Sequence, residues 1–360
     1  MTVTLTQQGS ACPLTATISS YPGMAELSQA LKAGMTPIIS YWSNDDMLWM
    51  DGQGDDMQGP CPTDDALACS EEVHFTDFAV MDIDAEEPEP VEPVQDVAPV
   101  QDVQPLFPDA DVSDVQPLFP DQAIDSVVQV EPVFEVTTQA PTECAVCPGD
   151  FRMKGYGDVS LVPTGWFEKE CGSPVKLSDG GKVEPSMGAR AYFAESCKAG
   201  VYDHTQYLAL DLLGKRMRYT ADLTGAGCGC NAAMYLTSMR QNGHKSECHD
   251  YYCDANDVCG ESCAEIDIME ANQYAFHSTL HTAQDHSGVG KGLGGGGPGW
   301  NGPRDWSIMD YGPGRRCIDT SKPFEVAVEF PVDYNKQLSA MAMTLTQQGS
   351  ACPLTATISD

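Results

Sequence analysis

Three carboxylates, Glu265, Asp267 and Glu270, fall within six positions in the stretch Cys263-Ala-Glu-Ile-Asp-Ile-Met-Glu-Ala-Asn272. They alternate with apolar residues, as on a strand that offers acids on one face and packs on a core with the other. Like charges this close raise one another's pKa, and a carboxylic acid held beside a carboxylate is equipment for breaking a glycosidic bond. The spacing sets a condition on that chemistry. Glu265 and Asp267 share a face by the period of two, whereas Glu270 would point the other way in a regular strand. Five extended residues also span roughly 16 to 18 Å, while a retaining glycosidase holds its carboxyl groups about 5 to 5.5 Å apart. A β-bulge is therefore predicted, with one extra residue near Ile268-Met269 restoring the facing and bending the strand. The bland reading of the same residues is a strand with a solvated acidic edge.

The elements around this strand read as mostly β. Strand-like runs at 188–193, 207–213, 217–223, 232–239 and 324–330 are separated by Gly, Pro and Asp, which argues an antiparallel sandwich. Upstream, Met24, Leu27 and Leu31 have helical spacing, and residues 36–42, 47–51 and 73–83 are strand-like. Residues 290–299 are glycine-dominated and lack the GK[ST] signature and following helix of a phosphate loop, so they read as a flexible surface loop.

Composition narrows the partners. With 19 basic and 53 acidic residues in 360, the net charge is -34, which disfavours nucleic acid and anionic membranes, both bound through Lys and Arg. A neutral polysaccharide remains open. Fifteen cysteines point to disulfides and an oxidising, extracellular setting. Structural zinc is the rival, on Cys144/Cys147, Cys228/Cys230 and the histidines His244 and His249 near Cys248 and Cys253, but the spacings lack the two regular pairs of a zinc site. No export signal is visible at Met1-Thr-Val-Thr-Leu.

Thr4 to Ser19 and Thr344 to Ser359 are identical, TLTQQGSACPLTATIS, at an offset of 340 residues. The simplest account is slightly more than one period of a tandem array, with Met1 internal and any signal peptide further upstream. Between about 84 and 142 lie ten prolines, two copies of Asp-Val-Gln-Pro-Leu-Phe-Pro-Asp and no Lys or Arg. This reads as an extended acidic linker; its alternative is that each Leu-Phe pair docks a partner.

Cys263 to Asn272 resembles the catalytic strand of glycoside hydrolase family 7, the cellobiohydrolases and endoglucanases, with its E-x-D-x-x-E-A-N pattern. Family 16 glucanases carry a similar triplet, and further matches favour family 7. Residues 212–223 followed by Cys228-Gly-Cys-Asn-Ala-Ala-Met-Tyr235 resemble the paired strands ahead of the catalytic one. Tyr311-Gly-Pro-Gly, Asp319-Thr and residues 324–330 also follow the pattern, and Trp300-Asn-Gly-Pro-Arg304 resembles a Trp-Asn-Pro-x-Arg segment. Residues 30–42 and 47–51 resemble segments that normally come after all of these and here come first. That order makes 1–83 the C-terminal portion of one unit, 84–142 a linker and 143–360 the N-terminal and central portion of the next.

The resemblance implies an all-β, concanavalin-like jelly-roll sandwich of two antiparallel sheets with a glucan cleft. It implies Glu265 as nucleophile, Glu270 as acid/base, Asp267 as the residue that tunes Glu265, and His281 as an active-site histidine matching better than His277. Trp42, Trp49 and Tyr235 match aromatics along the glucan path, and Arg304 a binding arginine. No cofactor or metal is implied. Met269 replaces the usual Trp, one Cys replaces a pair before Ala264, and the short stretch between Phe330 and Met343 suggests an open cleft and internal cleavage of β-1,4-glucan. The rivals are a β-1,3 or mixed-linkage glucanase and a catalytically silent wall-binding protein.

Overall fold

The structure is a computed structural model. It describes residues 21–45, 47–53, 59–85, 145–166, 174–285, 292–294, 297–298, 305–350 and 352–359, and the backbone of 2–5 and 14–17. Of Ala66 and 297–298, too, only the backbone is described. The acidic 84–142 stretch, apart from its first two residues, lies outside this set, as does Arg304.

In chain order the first elements are β1 (Thr2–Leu5), β2 (Leu14–Thr17), α1 (Met24–Ala33), β3 (Thr36–Ser43), α2 (Leu48–Asp51) and β4 (His74–Asp82). After the acidic stretch come β5 (Asp150–Met153), β6 (Gly157–Pro163), β7 (Val175–Ser178), β8 (Lys182–Pro185), β9 (Ala189–Ala194), β10 (Lys215–Asp222) and β11 (Cys230–Thr237). The catalytic candidates lie on β12 (Glu265–Ala271) and β13 (Phe276–His281). The short β14 (Leu293–Gly294), β15 (Gly297–Pro298), β16 (Tyr311–Gly312) and β17 (Ile318–Asp319) precede β18 (Phe324–Glu329), β19 (Ala340–Thr346) and β20 (Leu354–Ser359).

Two antiparallel sheets form the sandwich expected from the sequence. One has the order β20-β19-β18-β10-β4-β8-β7, the other β15-β14-β13-β12-β11-β3-β9-β6-β5. β3 and β4, which precede the acidic stretch, sit inside these sheets between strands that follow it. The core shows the same closure. Phe78 of β4 meets Phe151 of β5, Phe193 of β9 and Tyr219 of β10 at ring-centroid distances of 5.1, 5.4 and 5.9 Å. Rings buried between facing sheets supply most of the burial energy of such a layer.

Period two governs the nine-stranded sheet. Cys230, Ala232, Met234 and Leu236 of β11 enter the main core, as do Ala189, Ala191 and Phe193 of β9. Their alternates, including Tyr235 and Tyr192, face away into a second apolar cluster under the loops.

Six disulfides link the described residues, as the cysteine count predicts. Cys61–Cys228 and Cys69–Cys230 tie the segment after α2 to the start of β11. Cys147–Cys197 and Cys317–Cys352 join distant loops, and Cys248–Cys259 and Cys253–Cys263 staple the loop before β12. The cysteines weighed for zinc that are described are thus in disulfides.

Three local expectations are corrected. Residues 47–51 form the helix α2 rather than a strand, because Met47 and Met50 are buried while Leu48 is 40% exposed, a spacing of three. Residues 207–213 contribute only isolated bridges at Tyr207 and Leu210; their apolar side chains plug the core from irregular backbone. Residues 292–294 are buried and include β14, paired to β13, so this part of the glycine-rich stretch is no surface loop.

The duplicated segment occurs twice in the sheet architecture. Its second copy forms β19 and β20 at the edge of the seven-stranded sheet, with Leu345 opposite Leu354 and Thr344 opposite Thr355. Its first copy makes the same hairpin, with Leu5 opposite Leu14 and Thr4 opposite Thr15, and β2 lies beside β20.

Candidate active site

The bulge predicted from the carboxylate spacing is present. Asp267 pairs with Thr279 and Glu270 with His277, so Ile268 and Met269 together oppose one residue of β13. The same irregularity appears against β11, where Tyr235 pairs with Asp267 and Met234 with Met269. Ile268 and Met269 both enter the main core. Glu265, Asp267 and Glu270 therefore occupy alternate effective positions and all line one cleft of about 600 Å³. Four effective strand steps separate the glutamate Cα atoms by about 13 Å, in place of the five steps of a regular strand.

Each carboxylate has its own surroundings. An oxygen of Glu265 accepts the Ala255 N–H at 3.1 Å. Burial pushes Glu265 well above the ordinary carboxylate range, with the charges of Asp267 and Asp254 adding to it, while His281 and the Ala255 N–H pull the other way. Glu270 accepts from the side-chain amide of Asn231 at 2.9 Å. Burial, then the Asp267 charge, pushes Glu270 up to about 8 against the opposing effects of Asn231 and His281. Asp254, on the disulfide-stapled loop, is raised chiefly by burial. Acids this close titrate as a unit rather than one by one.

His281 lies among these acids. Its Nε2 is 3.2 Å from Asp267 and its Nδ1 3.0 Å from Asp285. Burial opposes a charge on the ring, but the hydrogen bonds to Asp267 and Asp285 outweigh it and lift the imidazole to about 10. His281 is thus an imidazolium that balances Asp267. His277 lies four positions away and is used differently, with Nε2 3.1 Å from the Met50 carbonyl.

The aromatic candidates separate. Trp42 and Tyr235 line the cleft with the acids; Trp42 pairs with Asn231 across β3 and β11, and the Tyr235 hydroxyl is 3.1 Å from that of Tyr252. Trp49, on α2, is not among the cleft-lining residues and packs at 6.0 Å against His277, the cross-strand partner of Glu270.

The sequence reading missed Asn231, Asp254, Tyr252, Arg190 and Asp285. Asn231 lies four residues from Tyr235 on a strand, so the period of two carried its signal. The Arg190 guanidinium lies 3.8 Å from the centre of the Tyr252 ring, on the cleft wall. Nothing local in the sequence marks Arg190 or Tyr252; topology brings them together.

Among the described residues, Glu72, His74 and Glu184 have potential metal-ligand atoms within 4.8 Å of one another. They lie on the other sheet, and Lys176 and Lys182 already pair with the two carboxylates. Among the described residues, no helix is long and apolar enough to cross a membrane.

A β-sandwich with this carboxylate strand is accompanied by sequence similarity to proteins named endoglucanases. Endoglucanase 1 of Pyricularia oryzae is 30% identical over 203 residues, covering 48% of this chain and 46% of that protein. Endoglucanase EG-1 of Hypocrea jecorina is 30% identical over 237 residues, covering 59% of this chain and 47% of that protein. The chain thus spans about half the length of the curated relatives it matches. No protein-family model matches it. Among solved structures, the Humicola insolens endocellulase EGI aligns over 54% of this chain and 67% of its own, at 18% identity and a TM-score of 0.29. A family 7 cellobiohydrolase from Daphnia pulex aligns over 56% and 53%, at 18% identity and a TM-score of 0.34.

Proposed function

We propose that the protein is a retaining glycoside hydrolase that cleaves internal β-1,4-glucosidic bonds of cellulose or a related β-glucan. The observation that carries this reading is the bulge in β12, which puts Glu265, Asp267 and Glu270 on one cleft face. The similarity to proteins named endoglucanases supports it.

In this mechanism Glu270, protonated below about 8, gives its proton to the leaving oxygen while ionised Glu265 attacks the anomeric carbon. Water then hydrolyses the glycosyl-enzyme with Glu270 as base, returning its proton. Glu265 must be the ionised member. The Ala255 N–H favours its anion, and the His281 imidazolium offsets the charge of Asp267. Asp267 tunes Glu265 from between the two glutamates. Trp42 and Tyr235 offer apolar ring faces to the C–H face of a pyranose, with Arg304 as a further sugar contact.

The substrate is a neutral polysaccharide, and nucleic acid and membranes are not partners. No cofactor takes part. The disulfides suit a secreted protein. Residues 1–83, 84–142 and 143–360 we read as the end of one hydrolase unit, a linker and the greater part of the next.

The test is product analysis on cellulose, lichenan and laminarin with proton NMR of the first-formed anomer. Fresh β-anomer and internal cuts in cellulose are expected. Turnover confined to laminarin would move the assignment to a β-1,3-glucanase. Oligosaccharide binding without turnover would make it a binding protein.

A further inference from the structure

We propose that Asp285 is a positioning residue of this site, holding the His281 ring by Nδ1 so that Nε2 fixes Asp267 between Glu265 and Glu270. The proposal rests on the hydrolase reading above for its effect on turnover, and on geometry alone for its effect on His281.

Asp285 is fully buried, an unusual place for a carboxylate unless it is paired and hydrogen-bonded. Its pairing is complete. Beyond His281 Nδ1 at 3.0 Å, its oxygens accept from the Thr282 hydroxyl at 2.9 Å, the Gly292 N–H at 2.6 Å and the Tyr21 hydroxyl at 3.4 Å. Asp285 is therefore held by three groups independent of His281, and an acceptor fixed in this way orients the ring instead of following it.

The supports come from separate parts of the chain. The Tyr21 hydroxyl also accepts the Thr282 N–H at 2.9 Å, and Glu26 of α1 accepts the Ala283 N–H at 2.8 Å. The turn bearing Asp285 is thus fastened to the segment that precedes the acidic stretch. Gly292 is required by its position: its φ is +33°, and a Cβ there would lie 2.2 Å from His281 Cε1. Only glycine brings the backbone N–H to Asp285 with the ring in place.

The charged and titratable groups acting on His281 are Glu265, Asp267 and Glu270 from β12 and Asp285 from the turn after β13; one step further out, Asp254 acts on Glu265, Tyr21 bonds Asp285, and Glu26 bonds the same turn at Ala283. Two carboxylates bracket the ring directly. With both present, both ring nitrogens donate and the ring carries a positive charge. With Asp285 replaced by a neutral amide, one acceptor charge is gone and the ring loses its proton at a lower pH. Asp267 then faces Glu265 and Glu270 without a balancing cation. Asp285 is absent from the cleft lining, so substrate contacts are untouched.

The test uses the full chain and Asp285→Asn. Imidazole nitrogen NMR, with the His281 signal assigned by its loss in His281→Gln, follows the ring's charge between pH 5 and 9. The wild-type ring is expected to stay protonated throughout, and the variant's to titrate inside this window. In turnover, kcat is expected to fall about tenfold at pH 7 and less than threefold at pH 5, with KM within twofold. Tyr21→Phe, which removes one peripheral hydrogen bond, is expected to shift His281 in the same direction by less and covers the case in which Asp285→Asn fails to fold. Unchanged His281 titration in the folded variants, or a fall in kcat equal at every pH, overturns the proposal. If the wild type hydrolyses no glucan while His281 still shifts, the hydrolase reading fails and the positioning role stands.

Discussion

Asn231→Ala tests the assignment of Glu270 through a single contact. The Asn231 amide donates to Glu270 at 2.9 Å and is buried, and its effect is to favour the charged form of the acid. A hydrogen bond to a charged group contributes about 1.5 to 3 kcal/mol, and one pKa unit corresponds to about 1.36 kcal/mol. At the lower end of that range the shift is about one unit upward. The active form carries the Glu270 proton, hence activity is lost as pH rises through this pKa. The alkaline limb of kcat/KM should move from about 8 to about 9 in the variant. At pH 9 the wild type then retains roughly a tenth of its maximum and the variant about half. The assay is kcat/KM between pH 5 and 10 on an aryl β-cellobioside with a poor leaving group, which needs the proton. The position of the limb does not depend on how much enzyme is folded. A limb that stays put, or moves down, would refute the claim that Asn231 tunes the acid.

Two further predictions concern the scaffold. Replacing Cys253 and Cys263 by Ser opens a bridge of sequence separation 10 and should cost about 2.5 to 3 kcal/mol by loop entropy. It should also lower kcat/KM at least about tenfold at temperatures where the variant is folded, because the loop supplies the Ala255 N–H to Glu265; full activity would contradict this. Deleting either copy of the duplicated hairpin, residues 1–20 or 341–360, should leave a folded chain, whereas deleting both should not. The seat buries Met341, Met343, Leu345, Leu354, Ala356 and Ile358, and its five large side chains contribute about 7.5 kcal/mol or more at about 1.5 kcal/mol each, comparable with a domain's whole stability. Disulfide mapping of the 341–360 deletion should find Cys12, the counterpart of Cys352, bonded to Cys317; a free Cys317 would contradict the exchange.

How much of this was legible depended on whether the cause was local. The bulge was readable because it follows from the facing of three acids and the period of a strand. The strand runs that became β10, β11 and β18 were readable because Gly, Pro and Asp punctuate them. Residues 47–51 misled because Met47, Leu48, Trp49 and Met50 are all apolar, so hydrophobicity did not distinguish a spacing of three from a strand. Residues 207–213 misled because apolar side chains can be buried from irregular backbone when the sheets leave a gap for them. Asp254 and Asp285 were invisible for a different reason. Each reaches the site through a contact set by tertiary structure, one through the Cys253–Cys263 bridge and the other through a turn fastened to Tyr21. The likeness to a known strand pattern pointed to Glu265, Glu270 and His281, but it carried no information about the residues that hold them.

The central claim is that Glu265 forms a covalent bond to the sugar. Incubation with an activated 2-deoxy-2-fluoro-β-cellobioside, which slows release of the glycosyl-enzyme, followed by peptide mass spectrometry, tests it directly. The account predicts one fluorocellobiosyl group per chain, on the peptide containing Glu265, with no labelling of Glu265→Gln and continued labelling of Glu270→Gln. A label on any other residue, or inhibition of turnover with no covalent adduct, would contradict it.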